Sequence, residues 1–177
     1  HQGQCYCLMS PSGSGKTTLL RILMGLEQPD QGMVLADGKP QDMNSLTVSA
    51  VFQEDRLCES VSPIENVSMC AGRSIKTPRI KWELARLLPE ECLNRPVSTL
   101  SGGMKRRVAV IRALLTPSRI LLMDEPFTGM DDELKRNVIS YIREKQDGRL
   151  LILSTHQEED VELIGGELVR LERCMDV

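Results

Sequence analysis

The chain has 177 residues, 41% of them hydrophobic and 27% charged, a balance that suits one folded domain and excludes a disordered polyelectrolyte. Its 22 Lys and Arg against 25 Asp and Glu leave a net charge of -3, so no basic excess points to nucleic acid or to an anionic membrane surface. No run approaches the ~18 apolar residues of a membrane-spanning helix, so association with a membrane has to pass through another protein.

The chain opens on His1 and its first strand runs almost at once into a motif, which predicts a further N-terminal segment ahead of it. Cys5–Met9 reads as a buried strand leading into the Gly- and Ser-rich run Ser10–Gly15, and the helix that follows carries Leu19, Leu20 and Leu23 on one face. Gly25 and the turn Pro29–Gly32 close that unit; Met33–Ala36, a turn at Asp37–Gly38 and Val48–Phe52 read as further strand material. From Glu54 to Thr99, Pro63, Pro78, Pro89 and Pro96 break the chain into helical segments, one of them Pro78–Leu88 with Thr77 as its N-cap. With the next helix this block, about 54–115, is predicted to be a helical subdomain inserted in the core.

Beyond it, Met104, Val108, Ile111 and Leu115 mark one face of a helix starting at Gly102, and Ile120–Met123 is a continuous apolar strand. Leu134, Val138 and Tyr141 mark another helix, and Leu150–Leu153 another buried strand. Strands alternating with amphipathic helices predict an α/β fold with a mainly parallel sheet flanked by helices. Cys5, Cys7, Cys58, Cys70, Cys92 and Cys174 form no CxxC pair and have no His at ligand spacing, so they read as reduced thiols of a cytosolic protein.

Ser10-Pro-Ser-Gly-Ser-Gly-Lys-Thr17 matches the P-loop pattern at Gly15, Lys16 and Thr17, with Ser10 where the first glycine is usual. A strand, a glycine loop and a helix N-terminus are what phosphate binding needs, because backbone N–H groups and the helix dipole then face the oxygens. The candidate nucleotide contacts are Ser12, Gly13, Ser14, Gly15, Lys16, Thr17 and Thr18, with Lys16 reaching the β- and γ-phosphates and the Thr17 hydroxyl on Mg²⁺. Serine at position 10 would cost about 1–2 kcal/mol only if its backbone were left-handed, and slightly altered loop geometry is expected. The strand Ile120–Met123 delivers Asp124 and Glu125 at its carboxyl end, where open α/β sheets place ligands. Asp124 is the candidate for the Mg²⁺ shell and Glu125 the candidate general base for an attacking water.

At Leu100-Ser-Gly-Gly-Met104 the sequence resembles the signature motif of ATP-binding cassette (ABC) proteins. The P-loop, Gln53 in Val51-Phe-Gln-Glu-Asp-Arg-Leu57, Asp124-Glu-Pro126, Asp131 and His156 in Ser154-Thr-His156 follow in that family's order over nearly the whole chain. The resemblance implies a P-loop ATPase that works as a head-to-tail dimer of two copies, with ATP and Mg²⁺ held between the P-loop of one subunit and Ser101, Gly102 and Gly103 of the other. It implies that Gln53 senses Mg²⁺ and water, that His156 contacts the γ-phosphate, and that Asp131 lies in a loop crossing the dimer interface; without the family, Asp131 reads as a helix N-cap. Ser10, Met104 for the usual glutamine, and Gly129-Met130 depart from the family pattern. The family carries the aromatic residue that it stacks on adenine some twenty residues before its P-loop, ahead of the nine residues that precede Ser10 here, and Tyr6 is too close to the loop to be it.

The short span from Gln53 to Leu100, without CxxC, argues against the DNA-acting members, and a single acidic cassette against the ribosomal ones. The expectation is therefore an ATP-hydrolysing transporter subunit on the cytoplasmic face of the cell membrane. It would drive small-molecule import through a separate integral membrane permease, with an extracytoplasmic substrate-binding protein and no nucleic acid as partner. Alternatives are a soluble cassette ATPase acting on DNA or ribosomes, or a form that binds nucleotide with little hydrolysis. The segments 51–57, 100–105 and 121–127 look most like the nitrate/sulfonate/taurine importer group. The groove beside Glu54–Ile64 would by resemblance seat the permease on Leu57, Val61 and Ile64, unless these pack inside their own helical block.

Overall fold

In a computed structural model of the chain, residues 1–36, 38–40, 47–72 and 75–171 are described. Asp37 of the predicted turn and Cys174 lie outside them. The sheet is built from β1 (Cys5–Met9), β4 (Val48–Val51), β5 (Ile120–Met123), β6 (Leu150–Ser154) and β7 (Glu167–Arg170), in the order β4-β5-β6-β1-β7. Every pairing is parallel, with Val51 opposite Met123, Met123 opposite Leu153, and Cys7 opposite both Leu153 and Leu168. Two short strands, β2 (Leu35–Ala36) and β3 (Lys39–Pro40), form a separate antiparallel ribbon. The helices are α1 (Lys16–Leu23), α2 (Pro63–Ser68), α3 (Thr77–Ala85), α4 (Gly102–Leu115), α5 (Asp132–Gln146) and α6 (Glu158–Ile164). Single 3-10 turns occur at Glu90–Cys92 and Val97–Thr99.

Strand residues of alternating parity face opposite layers. Cys7, Leu121, Met123, Leu151 and Leu153 point into one core with Val108, Ile111, Val138 and Ile142 of α4 and α5. Leu8 and Leu122 point the other way, onto Leu20 of α1. Helices therefore cover both faces, which is why these strands read as unbroken apolar runs. The expected α/β class with a mainly parallel sheet is what the structure has. The helical block shares its interior with that sheet: Val67, Ile80, Leu84 and Val97 belong to the same buried cluster as Leu121 and Val138. Leu57 and Ile64 lean on this cluster, so at least those two residues of the anticipated apolar seat are partly used by the chain itself.

Several boundaries differ from the sequence reading. Lys76, not Thr77, occupies the N-cap of α3, and it makes no side-chain cap bond. Pro78 has no N–H to satisfy anywhere in the first turn, so it permits the helix to begin one residue earlier. That helix closes at Ala85 rather than Leu88, four residues before Pro89. Met33 stays outside β2 and is 67% exposed. The elements α6 and β7 had no expectation attached, because β7 is an edge strand with mostly exposed side chains and thus no apolar run.

One buried carboxylate joins α3 to α5. Glu83 is 1% exposed and receives Lys145 Nζ at 2.7 Å, the Tyr141 hydroxyl at 3.0 Å and Arg79 at 2.6 Å. Burial pushes its carboxyl up, but the hydrogen bonds from Lys145 and Tyr141 and the neighbouring cations outweigh it and hold the group below the usual carboxylate range. Beside it, Arg86 forms a bidentate pair with Glu144, whose carboxyl is lowered to about 2 by those bonds.

Candidate nucleotide site

Because the strands are parallel, the segments leaving β1, β4, β5 and β6 emerge at one edge of the sheet, and the candidate residues converge there. Gly15 caps α1 with φ 92°, a left-handed conformation that glycine adopts without a Cβ penalty. The turn aims the start of α1 back across the loop. Lys16 is 6% exposed, and its ammonium donates to the carbonyls of Ser10 at 2.6 Å and Pro11 at 3.3 Å. Ser14 Oγ is buried without a hydrogen-bond partner among the described residues. Ser12, Gly13 and Thr18 are exposed on the rim.

Ser10 does not have a positive φ, so no left-handed cost arises. Its hydroxyl donates to the Leu171 carbonyl at 2.8 Å and accepts from the Leu171 N–H at 2.7 Å, stitching the loop to the exit of β7.

The Thr17 hydroxyl donates to Asp124 Oδ2 at 2.8 Å, so the two groups expected to share Mg²⁺ already touch across the sheet. Asp124 is 3% exposed, and its other oxygen accepts from Ser154 Oγ at 2.6 Å. The same Ser154 hydroxyl accepts from the Glu125 N–H at 2.9 Å. Gln53, exposed beyond β4, lines a small cleft with Thr17 and Asp124. Hydroxyl, carboxylate and amide oxygens are the hard donor set that suits Mg²⁺, and the buried, unpaired Ser14 Oγ suits an anion nearby. The residues present fit both groups.

Glu125 has φ 48°, a left-handed backbone that is uncommon for a non-glycine residue and typical of functional turns. Its carboxylate lies 2.6 Å from His156 Nε2. A carboxylate can only accept, so in this bond Nε2 carries the hydrogen. His156 remains open to solvent beside Thr128 and Gly129.

The signature residues stand apart. Ser101 caps α4 by accepting from the Met104 N–H at 3.3 Å, and a Cβ on Gly103 would lie 3.1 Å from the Gly129 carbonyl. Among the described residues no hydrogen bond or ion pair joins residues 101–103 to the phosphate loop. Asp131 does cap a helix, its side chain accepting from the Leu134 N–H at 2.9 Å.

Two residues of this region have no role assigned by the sequence. Ser154 is fully buried and bridges both acidic residues; a hydroxyl ending an apolar strand was the available signal. Arg106 on α4 is 7% exposed, donates to the carbonyls of Phe52 and Gln53, and pairs with Asp55 at 3.2 Å. It clamps the Gln53 segment to the helix that starts with the signature, and no short motif announces it.

The family model described as ABC transporter matches residues 1–128. The chain is 38% identical to the sulfate/thiosulfate import ATP-binding protein of Xanthomonas campestris, over 92% of this chain and 52% of that protein. It is 39% identical to the Fe(3+) ions import ATP-binding protein of Escherichia coli O157:H7, over 82% of this chain and 44% of that one. The chain thus spans about half the length of the curated relatives it matches. Among solved structures, an ATP-binding cassette in a dimeric post-hydrolysis state bound to ADP and Pi superposes with a TM-score of 0.83 at 27% identity, covering 98% of this chain and 83% of that one. A strand, phosphate loop, acidic edge and signature helix in this order, over this fold and this share of the chain, make the protein a member of the ABC transporter family.

Proposed function

We propose that this chain binds and hydrolyses ATP with Mg²⁺ as the motor subunit of a membrane importer. The observation that carries it is the 2.8 Å contact between Thr17 of the phosphate loop and Asp124, beside Glu125 and His156 at the same sheet edge. Ser12, Gly13, Ser14, Gly15, Lys16, Thr17 and Thr18 hold the phosphates, with Lys16 leaving the Ser10 carbonyl for the β/γ oxygens. Thr17, Asp124 and Gln53 would hold Mg²⁺, which when bound offsets the charge of the phosphate oxygens. Glu125 orients the attacking water and takes its proton, while His156, its Nε2–H leaving Glu125 for the nucleotide, donates to the γ-phosphate oxygens where charge builds.

No hydrogen bond or ion pair among the described residues joins residues 101–103 to this chain's own phosphate loop, which supports their serving a second copy's ATP in a head-to-tail pair, with Asp131 at the seam. The import names of the relatives support a membrane permease as partner and the cytoplasmic face as location, and no helix among the described residues is long and apolar enough to cross a membrane. The block 54–115 acts in this reading as the permease-facing subdomain, and an extracytoplasmic substrate-binding protein completes the importer. The motif segments support the nitrate/sulfonate/taurine group.

Replacing Glu125 with Gln keeps shape and removes the base. Turnover should fall ~10²–10⁴-fold while ATP affinity stays within a few-fold, read by phosphate release and calorimetry. Undiminished turnover would refute Glu125 as base. Capture from native membranes should bring a permease; a sulfate or iron(III) permease would overturn the proposed group, and ribosomes or DNA in its place would overturn the transport role.

A further inference from the structure

Lys135 lies in the first turn of α5, four residues beyond Asp131, and is 4% exposed. Its ammonium sits 3.0 Å from Asp160 Oδ1 on α6 and donates to Gln157 Oε1. Its only other carboxylate neighbour among the described residues is the exposed Asp132, at 3.8 Å. Asp160 is 3% exposed and also accepts from the Thr155 hydroxyl, and that hydroxyl in turn accepts from the Gln157 N–H at 3.2 Å. Residues 155 and 157, on either side of His156, are thus tied through Asp160 and Gln157 to one buried ammonium. The imidazole itself stays half-exposed and meets Glu125 Oε1 at 2.6 Å. Burying an ion pair gives up hydration that an apolar pair of like volume would not, so its net contribution to stability is small.

We propose that Lys135 and Asp160 are positioning residues that lock the 155–157 turn so that His156 meets Glu125, and that they tie this geometry to the Asp131 end of α5. The inference rests on the roles given above to His156 and Glu125. Loosening the turn leaves the phosphate loop untouched, so nucleotide binding and turnover should separate.

The test compares the purified wild-type chain, the doubly neutral Lys135→Met/Asp160→Asn variant, His156→Ala, and all three changes together. Removing both charges leaves no unpaired ion in the core. The neutral variant is expected to bind ATP within about threefold of wild type and to lose about 10–100-fold in kcat, the range of a misplaced acid–base group. In the His156→Ala background the same two changes should cost less than about threefold, because residues acting through one another are non-additive. Lys135→Arg, which keeps the charge, should restore most of the turnover. A wild-type kcat in the neutral variant, a full additive loss in the His156→Ala background, or parallel loss of ATP binding and fold overturns the proposal. A fully active His156→Ala refutes the underlying role of His156 instead, whereas an impaired His156→Ala beside a fully active neutral variant refutes this inference alone.

Discussion

Ser154→Ala removes one oxygen that serves two partners. The Ser154 hydroxyl donates to Asp124 Oδ1 at 2.6 Å and accepts from the Glu125 N–H at 2.9 Å, in a position with no solvent access. A hydrogen bond to a charged group is worth about 1.5–3 kcal/mol and a neutral one about 0.5–1.5 kcal/mol. The Asp124 oxygen cannot turn to water, since that residue is 3% exposed, so a loss of about 2–4 kcal/mol is expected. For a domain of this size that lowers Tm by roughly 5–15 °C. The catalytic effect follows from the left-handed φ of 48° at Glu125, a conformation that persists only while its surroundings over-determine it. With its N–H released, the Glu125 carboxylate should drift from His156 and kcat fall by about tenfold or more, while ATP affinity, set mainly by the phosphate loop, changes less. Differential scanning calorimetry and single-turnover phosphate release measure the two effects. A variant with unchanged Tm would refute the hydrogen-bond reasoning, and unchanged turnover in a destabilised variant would refute the link from Ser154 to Glu125.

Ser10→Gly restores the usual P-loop residue, yet it is expected to destabilise by about 1–2 kcal/mol, because it deletes two bonds to Leu171 and adds backbone freedom without relieving strain. A urea midpoint at or above that of the wild type would contradict this. Glu83 is held below its ordinary carboxylate value, so its contribution is complete above about pH 5 and is lost as pH falls through its lower folded value. Glu83→Gln should therefore be less stable than wild type at pH 7, with the gap closing below about pH 4; a gap independent of pH would count against the ion cluster. Arg106→Met should leave ATP binding nearly intact and reduce turnover by freeing the Gln53 segment, as measured by calorimetry and phosphate release; a wild-type rate would show that the clamp is dispensable.

The parts of the fold that were legible in the sequence are those where chemistry is local. Ile120–Met123 could be read because a strand buried on both faces must be apolar throughout, and Gly102–Leu115 because its helical spacing survives burial. The strand β7 could not be read, as an edge strand borrows its order from β1 rather than from its own residues. The phosphate loop and the Asp124-Glu125 pair stood out because consecutive residues make each site. Ser154 and Arg106 act on partners far along the chain, the closest of the partners named above to Ser154 being 29 residues distant, and Lys135 and Asp160 meet across 25 residues. Their polarity gave no hint that they would be buried. Ser10 shows the same limit from the other side: its pattern suggested a perturbed loop, and the contact that gives it a place comes from 161 residues away.

The buried Glu83 has a mechanical consequence. Swinging α3 away from α5 would uncover its carboxylate and strand Lys145 and Tyr141, so the two helices must travel together. With 15 residues, α5 is a rod about 22 Å long. Near one end it is bolted to α3 through Tyr141 and Lys145, and at the other it begins at Asp131 and is pinned through Lys135. A rod held this way links the Asp131 end of the helix to the helical block through a buried ion pair near each end.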